Sequence, residues 1–220
     1  MPYNTFMNKS QRWTTKNIPD QTGKTIIVTG ANAGIGFAVT RALAEKGAHV
    51  VMAVRNLERG NRAIDLIKAA IPDAKLSLLE LDLASLESIK SAVAEVKARF
   101  KTIDVLINNA GSMNSKGTTK DGFELLIGVN HLGHFALTLQ LLDILRATPN
   151  SRIVNVSSIT HLTAKTKWLE KDFRETNIGS MTAYKRSKLA NLLFTYELQR
   201  RLLGEKTIAV VAHPGLRTRK

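Results

Sequence analysis

Tyr184 and Lys188 stand four positions apart in Tyr184-Lys185-Arg186-Ser187-Lys188, where the spacing predicts the opening of a helix with Leu189, Leu192, Leu193 and Tyr196 among its apolar positions. Side chains four apart share a helix face, so a phenol and an ammonium become neighbours. A free phenol titrates near ~10, and exchanging its proton near neutrality needs a fall of about 3, equivalent to about 4 kcal/mol. One ammonium roughly 5 Å away, at an effective dielectric of ~20, supplies about 3 kcal/mol of that. The pair is suited to passing a proton to or from an oxygen, and another nearby cation would add to the shift. Taken alone, the same spacing also describes an ordinary solvated helix face.

A second group of residues speaks of phosphate. Thr29-Gly30-Ala31-Asn32-Ala33-Gly34-Ile35-Gly36 precedes a stretch of helical periodicity over residues 37–46, which Gly47 stops. Glycines allow a tight turn and close backbone approach, while a helix N-terminus offers unpaired N–H groups and positive dipole to a pyrophosphate. The spacing is Gly-x-x-x-Gly-x-Gly rather than Gly-x-Gly-x-x-Gly, but a strand before it and a helix after it supply the context a dinucleotide loop requires. The base-distal discriminator is the end of the second strand, where a carboxylate would bind a ribose hydroxyl and a basic group a 2′-phosphate. Here Ala53-Val54-Arg55-Asn56 carries no carboxylate before Glu58. Arg55 favours NADP(H), with NAD(H) as the alternative and Arg59 and Arg62 as further candidates for the same phosphate. A surface arginine opening the next loop is the other meaning of Arg55.

The elements that must position these groups alternate along the chain. Apolar, β-branched runs at residues 25–29, 50–54, 76–81, 103–107, 153–156 and 207–212 are separated by segments of helical spacing. One helix is legible position by position: Leu86, Ile89, Val93, Val96 and Phe100 form an apolar stripe over residues 85–100, with Ser85 as N-cap and Ser88 where a capping box would want Glu or Gln. Strands apolar on both faces, alternating with amphipathic helices, imply an α/β, doubly wound parallel sheet of Rossmann type with helices on both faces. Residues 1–22 form a polar leader with Phe6, Trp13 and Ile18 as its apolar anchors, and Pro19-Asp20-Gln21-Thr22-Gly23 is a turn signal. Residues 23–220 are expected to form a single dinucleotide-binding and catalytic domain.

Composition narrows the partners. The chain of 220 residues has no cysteine, which excludes disulfides and thiolate chemistry and is compatible with a cytoplasmic location. No segment approaches the ~18 continuous apolar residues of a membrane span. A formal charge of +14, from 32 Lys and Arg against 18 Asp and Glu, favours anionic partners: a phosphorylated cofactor, weak contact with an anionic surface, or nucleic acid. Specific nucleic-acid recognition is not expected, because the basic residues are scattered and aromatics make up 5%. His131 and His134 lie three apart without a carboxylate at matching spacing, so they are expected to be packing or surface residues, and no metal site is expected.

In combination these motifs resemble the short-chain dehydrogenase/reductase family: Thr-Gly-x-x-x-Gly-x-Gly at 29–36, Asn108-Asn109-Ala110-Gly111, Ser157-Ser158, Tyr-x-x-x-Lys and His213-Pro214-Gly215 occur in that family's order. Asn130-His131-Leu132-Gly133-His134-Phe135 and Ser187-Lys188-Leu189-Ala190-Asn191 look more narrowly like its retinol dehydrogenase and WW-domain oxidoreductase branch. The resemblance, over about residues 18–218, implies hydride transfer between a nicotinamide and an alcohol or carbonyl substrate, apolar by analogy with that branch. It implies Tyr184 as general acid/base, Lys188 as the group that makes the phenol more acidic and holds the nicotinamide ribose, Ser158 on the substrate oxygen and Asn130 in a water relay to Lys188. Cofactor contacts carried over are Gly30, Asn32, Gly34, Ile35, Gly36, Arg55, Asp82, Leu83, Asn109, Ala110, Gly111, Pro214, Gly215 and Thr218, besides Tyr184 and Lys188. Asp82 also suits a helix N-terminal carboxylate near Ser85. Against the family pattern the chain is expected to lack C-terminal elements that cover the substrate and complete the sheet. An inactive nucleotide-binding or interaction protein is therefore the competing expectation, and a homo-oligomer stays open.

Overall fold

A computed structural model describes residues 13–113 and 116–215. Six parallel strands form one sheet in the order β3-β2-β1-β4-β5-β6: β1 (Thr25–Thr29), β2 (His49–Val54), β3 (Leu76–Glu80), β4 (Val105–Asn108), β5 (Arg152–Val156) and β6 (Ile208–Ala212). The helices between them are α1 (Gly34–Glu45), α2 (Leu57–Ala70), α3 (Leu86–Arg99), the single turn α4 (Leu125–Ile127), α5 (Gly133–Gln140), α6 (Leu142–Ala147) and α7 (Ser180–Arg201). The strand order reverses between β1 and β4, which opens a crevice at the carboxyl ends of the strands.

Two-residue periodicity sorts the strand side chains onto the two faces. Ile26 and Val28 of β1, with Val50, Met52 and Val54 of β2, pack under α1 and α2. Ile27, Val51 and Ala53 face the other way, together with Leu106 and Ile153, onto Ile89 and Val93 of α3, Leu137 of α5 and Leu198 of α7. Continuous apolar strands are the consequence of burial on both faces.

Several boundaries differ from the sequence expectation. α1 starts at Gly34 rather than residue 37, because its first turn is built from the glycines of the loop itself. β4 starts at Val105; Ile103 is buried before it, its N–H taken by the Thr148 hydroxyl at 3.1 Å instead of a strand neighbour. α3 is capped by Ser85 as expected, its Oγ accepting from Ser88 N at 3.2 Å, but Leu86 is exposed and Ala92 joins the buried stripe. On α7, Leu193 and Tyr196 point to solvent, and the face toward the sheet is formed by Ser187, Asn191, Thr195 and Leu198. That inward face is largely polar because it meets other polar groups, a pairing invisible to apolar periodicity. In the leader, Trp13 is exposed, Ile18 is half-buried and Phe6 lies outside the described residues. Among the described residues, no helix is long and apolar enough to cross a membrane.

Candidate active site

The crevice forms a cleft of about 550 Å³. Its walls include Gly30, Asn32, Gly34, Ile35, Gly36, Arg55, Asp82, Leu83, Asn109, Ala110 and Gly111, drawn from the ends of β1, β2, β3 and β4. Ser112, Leu125 and Val129 also line it and were not singled out from sequence, although Ser112 directly follows the Asn-Asn-Ala-Gly run. Tyr184, Lys188, Asn130, Ser158, Pro214 and Gly215 are not among its walls, and Thr218 lies outside the described residues.

The glycines have separate tasks. Gly30 has φ +65, and a Cβ on it would sit 3.0 Å from the Ala110 Cα. Gly34 has φ +54 and faces open space. A Cβ on Gly36 would lie 2.2 Å from the Gly30 carbonyl oxygen, so Gly36 lets α1 press against the strand end. The first turn of α1 has no side-chain cap and no acidic residue, leaving its amides directed at the cleft. Thr29 Oγ1 organises the opposite wall by accepting from the Asn109 and Ala110 amides, both at 2.9 Å. Asp82 combines both expected meanings: it lines the cleft, and its Oδ1 accepts from Ala84 N at 3.0 Å in the turn leading to Ser85 and α3. Arg62 is engaged by Glu58 in an ion pair, whereas Arg55 sits on the cleft wall.

Beside the cleft, α7 brings Tyr184 and Lys188 together, with Lys188 Nζ 5.7 Å from the centre of the Tyr184 ring. Tyr184 is half-buried and Lys188 is buried. Lys188 Nζ donates to the Val156 carbonyl at 3.0 Å. Burial pushes the Lys188 ammonium down to about 8, which still leaves about nine in ten of these groups charged at pH 7. The connection to the cleft runs through Gly111: a Cβ there would meet Asn130 Oδ1 at 3.1 Å and Lys188 Nζ at 3.7 Å. A side chain there would crowd the Asn130 amide, so glycine suits that junction.

The two serines after β5 divide their work. Ser157 is buried and its Oγ donates to the Lys188 carbonyl at 2.8 Å, fixing α7 against the sheet. Ser158 is half-buried and caps the 3₁₀ turn Ile159–Thr163, accepting from Thr160 N at 3.3 Å. Asn130 is fully buried inside a π-helical turn, Gly128–Leu132, between α4 and α5. Gly128 and Gly133 bracket that turn because a Cβ on either would strike Thr119 or the Leu83 carbonyl. Asn130 Oδ1 accepts from Ser112 N at 2.8 Å, and its Nδ2 donates to Ser112 O at 2.9 Å and Ser187 Oγ at 3.1 Å. Ser187 Oγ in turn donates to the Tyr184 carbonyl at 2.7 Å. A single amide thus ties the cleft wall to the helix carrying Tyr184 and Lys188.

Of the packing and surface alternatives for His131 and His134, burial selects packing. His131 Nδ1 meets Asn191 Oδ1 at 3.0 Å, and His134 lies between Asn130 O and Thr29 Oγ1. Burial pushes the rings down from 6.5 to about 4 and about 3, respectively. The unfolded chain takes up these protons at a higher pH than the folded one, so the stability present above pH 6.5 is lost as pH falls toward 4. At pH 5 the two rings together cost roughly 4 kcal/mol relative to neutrality. Urea unfolding at pH 7.5, 6 and 5 should show the midpoint falling at each step, and an unchanged midpoint contradicts the assignment of neutral rings.

Known proteins resemble this chain in sequence and fold. The family model for short chain dehydrogenases matches residues 24–218. Retinol dehydrogenase 13 of Homo sapiens is 43% identical over 195 residues, covering 88% of this chain and 59% of that protein. Retinol dehydrogenase 12 of Mus musculus is likewise 43% identical over 195 residues, covering 88% and 61%. The chain therefore spans about three fifths of the length of these curated relatives. A crystal structure of an uncharacterized protein from Mycobacterium Paratuberculosis superposes with a TM-score of 0.81 at 41% identity, covering 92% of this chain and 72% of that one. At the level of fold alone, L-sorbose reductase from Gluconobacter frateurii, solved with NADPH and L-sorbose, gives a TM-score of 0.74 at 22% identity, covering 90% and 71%. With a family model matched over residues 24–218 and relatives 43% identical, and with a parallel doubly wound sheet to match, the chain belongs to the short-chain dehydrogenase family.

Proposed function

We propose that this protein is an NADP(H)-dependent oxidoreductase that interconverts alcohols with aldehydes or ketones, with Tyr184 as general acid/base. The observation that carries the proposal is the junction at Gly111, where the cleft wall, Asn130 and the Lys188 ammonium meet beside Tyr184.

The residues present fit a dinucleotide. The uncapped first turn of α1 and the open space at Gly34 suit a pyrophosphate, and the close approach at Gly30 keeps the floor of the cleft free of side chains. The volume lies within the range of small-molecule sites, roughly 300–1,000 Å³. When bound, the nicotinamide supplies or accepts the hydride. The protein supplies position and charge. The Tyr184 hydroxyl passes its proton to the carbonyl oxygen as that oxygen gains negative charge. The Lys188 cation, held by Val156 O, stabilises the phenolate left behind and orients the nicotinamide ribose. Ser158 holds the substrate oxygen, and Asn130 supports water-borne resupply of the proton toward Lys188. Met113 and Ile159 are exposed apolar side chains that follow directly on Ser112 and Ser158, and exposed Leu162 lies in the turn that Ser158 caps, which supports an apolar substrate. The relatives named as retinol dehydrogenases point the same way.

NADPH oxidation should be detectable with a panel of apolar aldehydes and ketones, and no turnover with intact NADPH binding would leave only a nucleotide-binding role. Arg55 sits on the cleft wall, and NADPH is expected to exceed NADH in kcat/KM. Arg55→Glu should reverse or erase that preference, lowering the ratio by about tenfold or more through loss of a charge-assisted phosphate contact. A wild-type preference for NADH rules out the NADP(H) assignment.

A further inference from the structure

His134 of α5 lies between two parts of the site. Its Nε2 is 2.8 Å from Thr29 Oγ1, and its Nδ1 is 3.1 Å from the Asn130 carbonyl oxygen. The chemistry of the partners fixes the direction of both bonds. A carbonyl oxygen only accepts, so Nδ1 must carry the proton. Thr29 Oγ1 already accepts from the Asn109 and Ala110 amides, which uses its two lone pairs and leaves its own proton to donate. The nearer receiver of that proton is Nε2 at 2.8 Å rather than the Ile107 carbonyl at 3.4 Å. Both ends therefore demand the same neutral ring, protonated on Nδ1 and bare on Nε2.

The ring joins two working assemblies. Thr29 holds the amides of Asn109 and Ala110 on the cleft wall. Asn130 holds Ser112 and Ser187, and its carbonyl also accepts from Asn191 Nδ2 at 3.0 Å. Asn191 is one turn beyond Lys188 on α7. We propose that His134 is a positioning residue that couples the dinucleotide cleft to the Tyr184 and Lys188 helix: its Nε2 sets the Thr29 hydroxyl, and its Nδ1–H sets the Asn130 main chain. The kinetic part of this proposal rests on the oxidoreductase function given above; the tautomer and the binding part do not. His134 is 2% exposed, and burial keeps the ring uncharged, as the Thr29 geometry requires.

The first measurement uses the wild-type protein labelled with ¹⁵N at histidine, with His134 assigned by the signal lost in His134→Gln. A long-range proton–nitrogen spectrum at pH 7 should show His134 protonated on Nδ1 alone. Protonation on Nε2, or on both nitrogens, overturns the proposal. The second uses two variants that each keep one arm. His134→Asn places an amide near the position of Nδ1, and His134→Gln places one near Nε2. NADPH titrated into His134→Asn should bind about tenfold more weakly, while kcat at saturating cofactor stays within about threefold of wild type. His134→Gln should keep the NADPH Kd within about threefold and lower kcat about tenfold. A ring that merely fills space predicts no such split, so a Kd that moves equally in the two variants, or in neither, refutes coupling. If wild type shows no turnover, the oxidoreductase function fails, while the Kd contrast and the spectrum still decide the role of His134. If one variant does not fold, the other supplies the assignment, and the wild-type spectrum still tests the tautomer.

Discussion

Tyr184→Phe should lower turnover of a responsive aldehyde by about a thousandfold while NADPH binds as in wild type, since positioned acid–base groups contribute ~10²–10⁴. The substitution is a narrow one. Phenylalanine retains the ring beneath Lys188, and the Tyr184 carbonyl that accepts from Ser187 belongs to the main chain, so the helix keeps its contacts. What disappears is the hydroxyl. Steady-state kcat with NADPH, together with the cofactor Kd by fluorescence, separates loss of proton transfer from loss of binding. A fall in kcat of less than about tenfold would mean that another group carries the proton.

Gly36→Ala is expected to have the largest structural effect of any single-methyl change in the cleft. The new Cβ would stand 2.2 Å from the Gly30 carbonyl oxygen and 2.6 Å from Asn109 Nδ2. Neither neighbour can yield cheaply: the first is backbone, and the second is held by its own bond to the Thr29 carbonyl at 2.8 Å. α1 must therefore lift from the end of β1, at about 3 kcal/mol or more for an overpacked site. The same displacement withdraws the α1 amides from the cleft, so the NADPH Kd should rise by at least about a hundredfold. Gly34→Ala is the informative contrast. Its added methyl enters open space, and its cost is the φ of +54, about 1–2 kcal/mol. Thermal unfolding of the two variants should rank Gly36→Ala well below Gly34→Ala, and the reverse order would mean that backbone conformation, not close approach, governs the loop.

The two changes probe opposite ends of one construction. Gly36 acts through how closely a helix may approach a strand, and Tyr184 through a single oxygen once everything is in place. Between them lies a polar interior that apolar patterning misses. Asn108 Nδ2 donates to Thr138 Oγ1 at 2.8 Å and Asn155 Oδ1 at 2.7 Å, and Asn155 Nδ2 reaches Thr195 Oγ1 at 2.9 Å. This buried ladder ties β4 and β5 to α5 and α7, and it explains why α7 turns Asn191 and Thr195 inward and leaves Leu193 and Tyr196 in water.

What could be read from the sequence alone was whatever depends on neighbours along the chain. Six apolar runs with helical spacing between them specify a parallel, doubly wound sheet because each crossover must return a helix to the sheet. The glycine loop announces itself because it sits between a strand and a helix, and Tyr184 and Lys188 must meet because four residues make one helical turn. The tertiary structure decided what depends on residues far apart. It assigned Ser157 to the Lys188 carbonyl and Ser158 to the Thr160 amide, a distinction two adjacent serines do not carry in their identities. It started α1 at Gly34 and pressed Gly36 against Gly30 and Asn109, where a Cβ finds no room. It brought His134 to Thr29 across 105 positions, and buried Lys188 deeply enough to push its ammonium down to about 8. Burial and long-range hydrogen bonds arise only when the chain has closed on itself, and in this protein they determine the charge and direction of the groups whose presence the sequence announces.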